Sequence, residues 1–317
     1  MPGDLVQGPA QLVLTASVAR RYYLDGRSKV EIADEFALSR FKVARLLELA
    51  RSSGLVRIEI GSAGAVDVEL SGRLQDAYGL LHAIVVNTVD DHAATLHTVV
   101  GRAAAELLTE IVTADDVVGL GWARSLMTMS AALARLAPCS VVQLTGALSR
   151  PDVDGSSIDL VRDVARIAKG PAFFFYAPMI VPDATTAAAL RRQPEVARAM
   201  EQFSSVTKAV VGVGSWDPPA STVHDAISQR ERRALRRLGV RADVSGVFLD
   251  AHGTAVDAPL TERIIGIRAE QLHRVPEVIA IASGPEKALA TRAAILGGYV
   301  KGIVTHTSFA RALLAAD

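Results

Sequence analysis

The chain has 317 residues, which suits two domains better than one, and half of them are hydrophobic, so a large buried core is available. Thirty-four Lys and Arg balance thirty-four Asp and Glu, and this zero net charge excludes a uniformly basic nucleic-acid coat but not a local basic patch. The single cysteine, Cys139, excludes an intrachain disulfide and suits a reducing cytoplasm.

The opening MPGDLVQGPAQ has no basic-then-apolar leader pattern, and no apolar run nears the roughly 20 residues of a membrane span. A cytoplasmic protein without a membrane partner is expected, with its first dozen residues loose. A first helix is expected over Thr15–Asp25, with Thr15 as N-cap and Gly26 as its end. Ser28 caps a second helix and forms a capping box with Glu31. Ile32, Ala33 and Phe36 give that helix its apolar face, and Ala33 is small, as a close helix crossing requires. Ala37 and Leu38 make a turn, and Ser39 caps a third helix in which Val43, Leu46, Leu47 and Ala50 recur at helical spacing. Gly54 stops it, and Leu55 to Ile60 alternates like a short strand.

This is the pattern of a helix-turn-helix. From Ser39 to Arg57 five basic residues (Arg40, Lys42, Arg45, Arg51, Arg57) face one acid, Glu48. Ser39, Arg40, Phe41, Lys42 and Arg45 fall on the exposed start of the third helix, the part that meets base edges and phosphates in such motifs. Ser28 and Lys29, at the start of the second helix, complete the expected DNA-contact set. A merely solvated basic face is the alternative. The two caps, the small Ala33, the turn and the basic N-terminus together favour DNA binding.

Residues 61–66 (GSAGAV) read as a hinge between a DNA-binding domain, 1–60, and a larger domain, 67–317. In the larger part, strands are expected at His82–Thr88, Val117–Gly121, Ser140–Leu144, Phe173–Ile180, Ala209–Val213, Gly246–Leu249, Val278–Ala282 and Gly302–Thr305. Helices such as Ala93–Ile111, Leu126–Leu136, Ser228–Leu238 and Glu286–Leu296 fall between them. The expected class is therefore α/β: an N-terminal helix-turn-helix domain plus a larger Rossmann-like, mainly parallel sheet with helices on both faces.

Ligands of such sheets sit beyond the C-terminal strand ends, and four loops there are rich in small residues. VVGLGWARSL turns through Gly119 and Gly121 into a helix whose backbone N–H groups, with the Ser125 hydroxyl, can cradle an anion. Thr145 and Gly146 end a second strand, and Gly212, Gly214 and Ser215 end a third. In IASGPEKALA, Gly284 ends the strand, Pro285 suits a first helical position and Lys287 lies in the first turn. A lysine beside a positive helix end is unfavourable unless an anion lies between them. Any one such loop is better explained by turn-making; four converging on one sheet edge point to a small anionic ligand. The seven histidines show no zinc-type spacing, His92 and His97 being five apart, so neither a metal nor a cofactor is expected.

These strings resemble the SorC family of sugar-responsive bacterial transcriptional regulators. SRFKVARLLELARSSGLVRIEI is similar to the family's "SR..VSRLL..AR..GIV.I.I", with Ala44 for the second serine, and members often carry Gln near Lys29. VVGLGWARSL, VVQLTGAL, AVVGVGS, VSGVFLDAHG and VIAIASGPEKALATRAAILGGYVKGIVTHTSFARALL extend the likeness over nearly the whole chain. The resemblance implies double-stranded operator DNA, a phosphorylated sugar effector and a homo-oligomer, dimer or tetramer, as partners. It implies that Gly121, Ala123, Arg124 and Ser125 run beside the phosphate, with Leu126 also in the effector-binding set, that Lys287 supplies charge to it, and that Asp250 accepts bonds from sugar hydroxyls. It also makes Trp122 a wall of the pocket. The family often has Gly where this chain has Ala123 or Arg124. Its effector domain is similar to sugar-phosphate isomerases and deaminases, so an enzyme is the rival reading. The deaminases' Asp-Gly-His loop is replaced here by GVGSWDPPASTVHDA, in which Asp217 and His224 are far apart, and a non-catalytic regulator is expected.

Overall fold

The computed structural model describes residues 8–56, 65–88, 93–148 and 156–316. The chain divides into two compact units, Met1–Gly61 and Ser62–Asp317.

The first unit holds three helices: α1 (Pro9–Tyr23), α2 (Lys29–Glu35) and α3 (Arg40–Ser52). Helix α1 starts earlier than expected, from a Gly8 cap with Pro9 in the first turn, so residues 9 to 12 are helical and not loose. Thr15 is therefore no cap. It is buried inside the helix, and its hydroxyl donates to the Gln11 carbonyl at 2.7 Å. Ser28 and Glu31 do form a capping box, and Ser39 accepts from the Lys42 N–H. Between α2 and α3 the chain turns at Ala37, whose φ of 50° is left-handed. Val18, Ala19, Ile32, Ala33, Val43, Leu46, Leu47 and Ala50 form the core of this head. The expected strand keeps only Leu55 and Val56 among the described residues, where they are not extended into a ladder; Arg57 to Ile60, and Gly61 to Gly64 of the hinge, lie outside the described residues.

The second unit is built on β1 (His82–Val86), β2 (Val117–Leu120), β3 (Ser140–Gln143), β4 (Ala172–Phe173), β5 (Lys208–Val211), β6 (Val213–Trp216), β7 (Pro219–Ala220), β8 (Ala242–Val244), β9 (Val247–Leu249), β10 (Glu277–Ile281) and β11 (Gly302–His306). Its helices are α4 (Val68–Tyr78), α5 (Ala93–Ile111), α6 (Arg124–Ala132), α7 (Ser157–Ala168), α8 (Ala184–Arg191), α9 (Pro194–Glu201), α10 (Thr222–Ala226), α11 (Gln229–Arg237), α12 (Ala269–Arg274), α13 (Ala288–Leu296) and α14 (Thr307–Leu314). Seven strands form one parallel sheet in the order β1-β11-β10-β5-β2-β3-β4. Alternate strand residues enter opposite cores, which is why the strands read as unbroken apolar runs. Val278 and Ala280 pack with Leu70 and Leu74 of α4, Ala294 of α13 and Phe309 of α14. Ile279 and Ile281 pack with Val100 of α5, Met129 of α6 and Leu160 of α7.

Four expectations need correction. Ala209–Val213 is not one strand: it breaks at Gly212, and Val213 opens β6 of a separate antiparallel sheet ordered β7-β6-β8-β9. The expected strand Gly246–Leu249 belongs to that second sheet. The apolar run Phe173–Ile180 is a strand only at its first residue, in β4; further on, the Phe175 N–H donates to the Gln143 side chain at 3.0 Å rather than to a neighbouring strand. Finally, the expected helix 286–296 opens as a 3-10 turn, Pro285–Lys287, and the α-helix begins at Ala288 with Lys287 at its N-cap.

Candidate functional site

The start of α3 is exposed and cationic. Arg40, Phe41, Lys42 and Arg45 are exposed, while Val43, Leu46, Leu47 and Ala50 on the same helix are buried. The Ser39 and Ser28 side chains are engaged as caps, so each fixes a helix start and leaves backbone N–H groups pointing outward. Lys29 is half-buried, its ammonium 5.7 Å from the centre of the Tyr22 ring.

In the second unit, β10, β5, β2 and β3 are neighbours, and the loops leaving their C-terminal ends enclose a cleft of about 430 Å³. From β2 come Trp122, Ala123, Arg124 and Ser125; from β3, Thr145 and Gly146; after β5, Gly212 and Gly214; after β10, Ser283, Gly284 and Lys287. Several of the glycines are there because nothing larger fits. A Cβ on Gly146 would lie 2.7 Å from the Met179 backbone nitrogen, and one on Gly214 would lie 2.3 Å from Asp243 Oδ1. Ala123 is the N-cap of α6, so the first N–H groups of that helix open beside Arg124. Ser125 is buried, and its hydroxyl donates to the Ile281 carbonyl at 3.3 Å.

Three expected ligand residues lie outside the lining. Gly121 sits behind it, where a Cβ would meet Ser245 Oγ at 2.7 Å. Leu126 is wholly buried in the core beneath α6. Asp250 holds its own turn: one carboxylate oxygen accepts the His252 N–H at 2.8 Å and the Thr254 N–H at 2.9 Å.

The cleft carries both charge signs. Burial pushes the Lys287 ammonium below its ordinary value, with Arg124 adding to the effect and Asp243 and Glu286 opposing it. His97 of α5 also lines the cleft, and its Nδ1 lies 3.1 Å from Ser283 Oγ. Burial lowers its pKa, as do Lys287 and Arg124. Asp243 of β8 is deeply buried, and burial raises its carboxyl against hydrogen bonds from Ser221 and Trp216. The indole N–H of Trp122 is shielded from solvent and has no acceptor among the described residues. The pair an isomerase would need is absent from the lining: Asp217 bridges Arg236 at 3.0 Å, and His224 stacks edge-on against Trp216. Among the described residues no three His, Cys, Asp or Glu side chains gather to hold a metal, and no helix is long and apolar enough to cross a membrane.

The Sugar-bind family model, a sugar-binding domain, matches residues 65–315. The transcriptional regulator LsrR of Klebsiella pneumoniae is 30% identical over 313 residues, covering 96% of this chain and 94% of that protein. The chain belongs to the SorC family. Other SorC-type relatives agree: the deoxyribonucleoside regulator of Bacillus subtilis is 26% identical over 304 residues, covering 95% of this chain and 97% of that protein. The crystal structure of the full-length sorbitol operon regulator SorC from Klebsiella pneumoniae superposes with a TM-score of 0.74 at 22% identity, covering 96% of this chain and 99% of that one. A DeoR family transcriptional regulator from Listeria monocytogenes gives 0.70 at 25% identity, covering 78% and 98%.

This SorC-family chain is thus a transcriptional regulator with a sugar-binding domain and not an enzyme. Asp243, His97 and Ser221 were not legible as members of its cleft. None stands in a motif; Asp243 reaches the cleft because β8 pairs with β6 in the register Gly214 to Asp243.

Proposed function

We propose that this SorC-family regulator binds operator DNA of a carbohydrate-utilisation operon in the cytoplasm and responds to a phosphorylated sugar or polyol. Residues 1–60 are assigned to DNA, 61–66 to a linker, and 67–317 to effector sensing and oligomerisation. One observation carries the effector assignment. Two cations, Arg124 and Lys287, stand at the N-terminal ends of two different helices, α6 and α13, on one cleft. Each helix end is itself partly positive, so an anion entering the cleft gains from both helix ends and both cations. Asp243, with Ser221 beside it, supplies an acceptor for hydroxyl groups on the same ligand. The half-buried Trp122 offers a flat apolar wall with an N–H still to place. A ligand anionic at one end and rich in hydroxyls elsewhere satisfies all of these groups.

On the DNA side, Ser28, Lys29, Ser39, Arg40, Phe41, Lys42 and Arg45 form the proposed contact set. One helix-turn-helix makes few phosphate contacts, so specific binding calls for at least a dimer on paired half-sites. The effector then acts through different affinities for two arrangements of the subunits.

The test is a thermal-shift panel on the full chain, setting sugar and polyol phosphates against their unphosphorylated forms. A ligand at 100 times its Kd stabilises by about 2.7 kcal/mol, a shift of several degrees for a domain of this size. A shift from at least one phosphate and not from its parent sugar is expected. Equal shifts from both forms, or none from any phosphate, would overturn the assignment.

A further inference from the structure

Phe41 is 84% exposed, more than any other large apolar side chain among the described residues. A single surface aromatic is ordinary by itself; the company it keeps is not. On α3 the side chains of Val43, Leu46, Leu47 and Ala50 point into the core of the head. With 3.6 residues to the turn, Phe41 stands opposite that buried face, and Ala44 and Arg45 lie on its side one turn further on. Arg40 and Lys42 flank it, both exposed, and the Ser39 cap holds the helix start. The outermost point of this cationic ridge is therefore an apolar spot, Phe41 with the half-buried Ala44 beside it. It has no apolar counterpart in the phosphate backbone, which offers only charge. In the major groove, one base edge offers an apolar group, the thymine 5-methyl.

We propose that Phe41 reads a thymine in each half-site by packing on its 5-methyl group. Arg40 and Arg45 take the neighbouring guanine edges or phosphates. The inference rests on the DNA-binding reading of the head. It adds what that reading leaves open, the base chosen and the chemistry that chooses it.

The experiment uses the full-length protein and duplexes enriched by it from a random-sequence pool. Each thymine of the enriched half-site is replaced in turn by deoxyuracil, which removes only the methyl group. At one position per half-site the wild type should lose about fourfold in affinity, the worth of burying one methyl group. Phe41→Ala should be indifferent to the same replacement. A pool enriched by Phe41→Ala should lose the thymine preference at that position and keep the others. Because the side chain is on the surface, this variant should fold as the wild type does.

Arg40→Ala separates the two levels. If it weakens binding to the enriched duplex while Phe41→Ala keeps the wild-type deoxyuracil loss and the same thymine preference, the inference is wrong and the DNA reading stands. Wild-type indifference to deoxyuracil at every thymine would also overturn the inference. If the wild type enriches no sequence, the DNA reading falls and the inference falls with it.

Discussion

The Ser221 hydroxyl donates to Asp243 Oδ1 at 2.5 Å, and the Trp216 indole N–H donates to the same oxygen at 3.1 Å. Both bonds survive in an Asp243→Asn variant, since the amide oxygen accepts equally well. What changes is the charge and the second oxygen. Burial raises the carboxyl above its ordinary value, so the folded chain favours the protonated form. The contribution of Asp243 to stability is therefore greatest below about pH 4, the unfolded value, and is lost as pH rises through the raised one. Urea unfolding of wild type and variant across pH 4 to 8 should show the difference moving in the variant's favour as pH rises. A difference independent of pH would contradict the assigned direction. In the same variant, effector affinity should fall about tenfold, because the second oxygen, the acceptor for a ligand hydroxyl, becomes an amide NH2.

Lys287 and Arg124 differ in depth and should differ in effect. Lys287 is held within the cleft, so Lys287→Ala removes a desolvated charge and should weaken effector binding by about 10- to 100-fold. Arg124 is exposed, and Arg124→Ala should cost about tenfold or less. Titration calorimetry with the best phosphate from the thermal panel reads both. Operator affinity without effector should not change in either variant. A normal effector response in Lys287→Ala would remove that residue from the site.

On the head, Arg40→Ala and Arg45→Ala each delete one exposed cation and leave the core of α1 to α3 untouched. If a residue pairs with phosphate, its loss should lower the dependence of log K on log salt by about one per half-site. If it reads a guanine edge, the slope should barely move and discrimination at one position should relax by about 1–3 kcal/mol. Binding measured at several salt concentrations sorts the two. Unchanged affinity and unchanged sequence preference in both variants would disprove the placement of α3 as the recognition helix.

The head was legible in the sequence because its signals are local. Ser28, Glu31 and Ser39 sit three residues from the N–H groups they cap, and the apolar residues of α3 recur within one helix. Much of the cleft was legible for a similar reason: Arg124 and Lys287 stand at strand-to-helix turns, and Gly146 and Gly214 just beyond the ends of β3 and β5, where glycine and proline mark the chain. What escaped is what tertiary pairing creates. Asp243 becomes a cleft residue through antiparallel pairing with Gly214, and His97 through its contact with Ser283. The run FFFYAPMI has the hydrophobicity of a strand, but the Phe175 N–H within it donates to the Gln143 side chain instead of to a neighbouring strand.

The DAHG turn offers the sharpest contrast between resemblance and geometry. Asp250 spends one carboxylate oxygen on two backbone N–H groups, and Gly253 adopts a φ of 83° beside α13. A Cβ at Gly253 would lie 2.3 Å from the Ala293 carbonyl oxygen and 2.4 Å from the Gly297 nitrogen. Gly253→Ala combines a disfavoured backbone with a clash against backbone atoms and should destabilise by more than about 2 kcal/mol. Because the clash pushes on the helix whose N-cap is Lys287, effector affinity should weaken too. Asp250→Ala should cost only about 1 kcal/mol, the value of its turn, and leave effector affinity within twofold. Urea midpoints and calorimetry on the two variants decide it. If Asp250→Ala instead loses effector affinity tenfold at unchanged stability, the carboxylate touches the ligand and the turn is its secondary role.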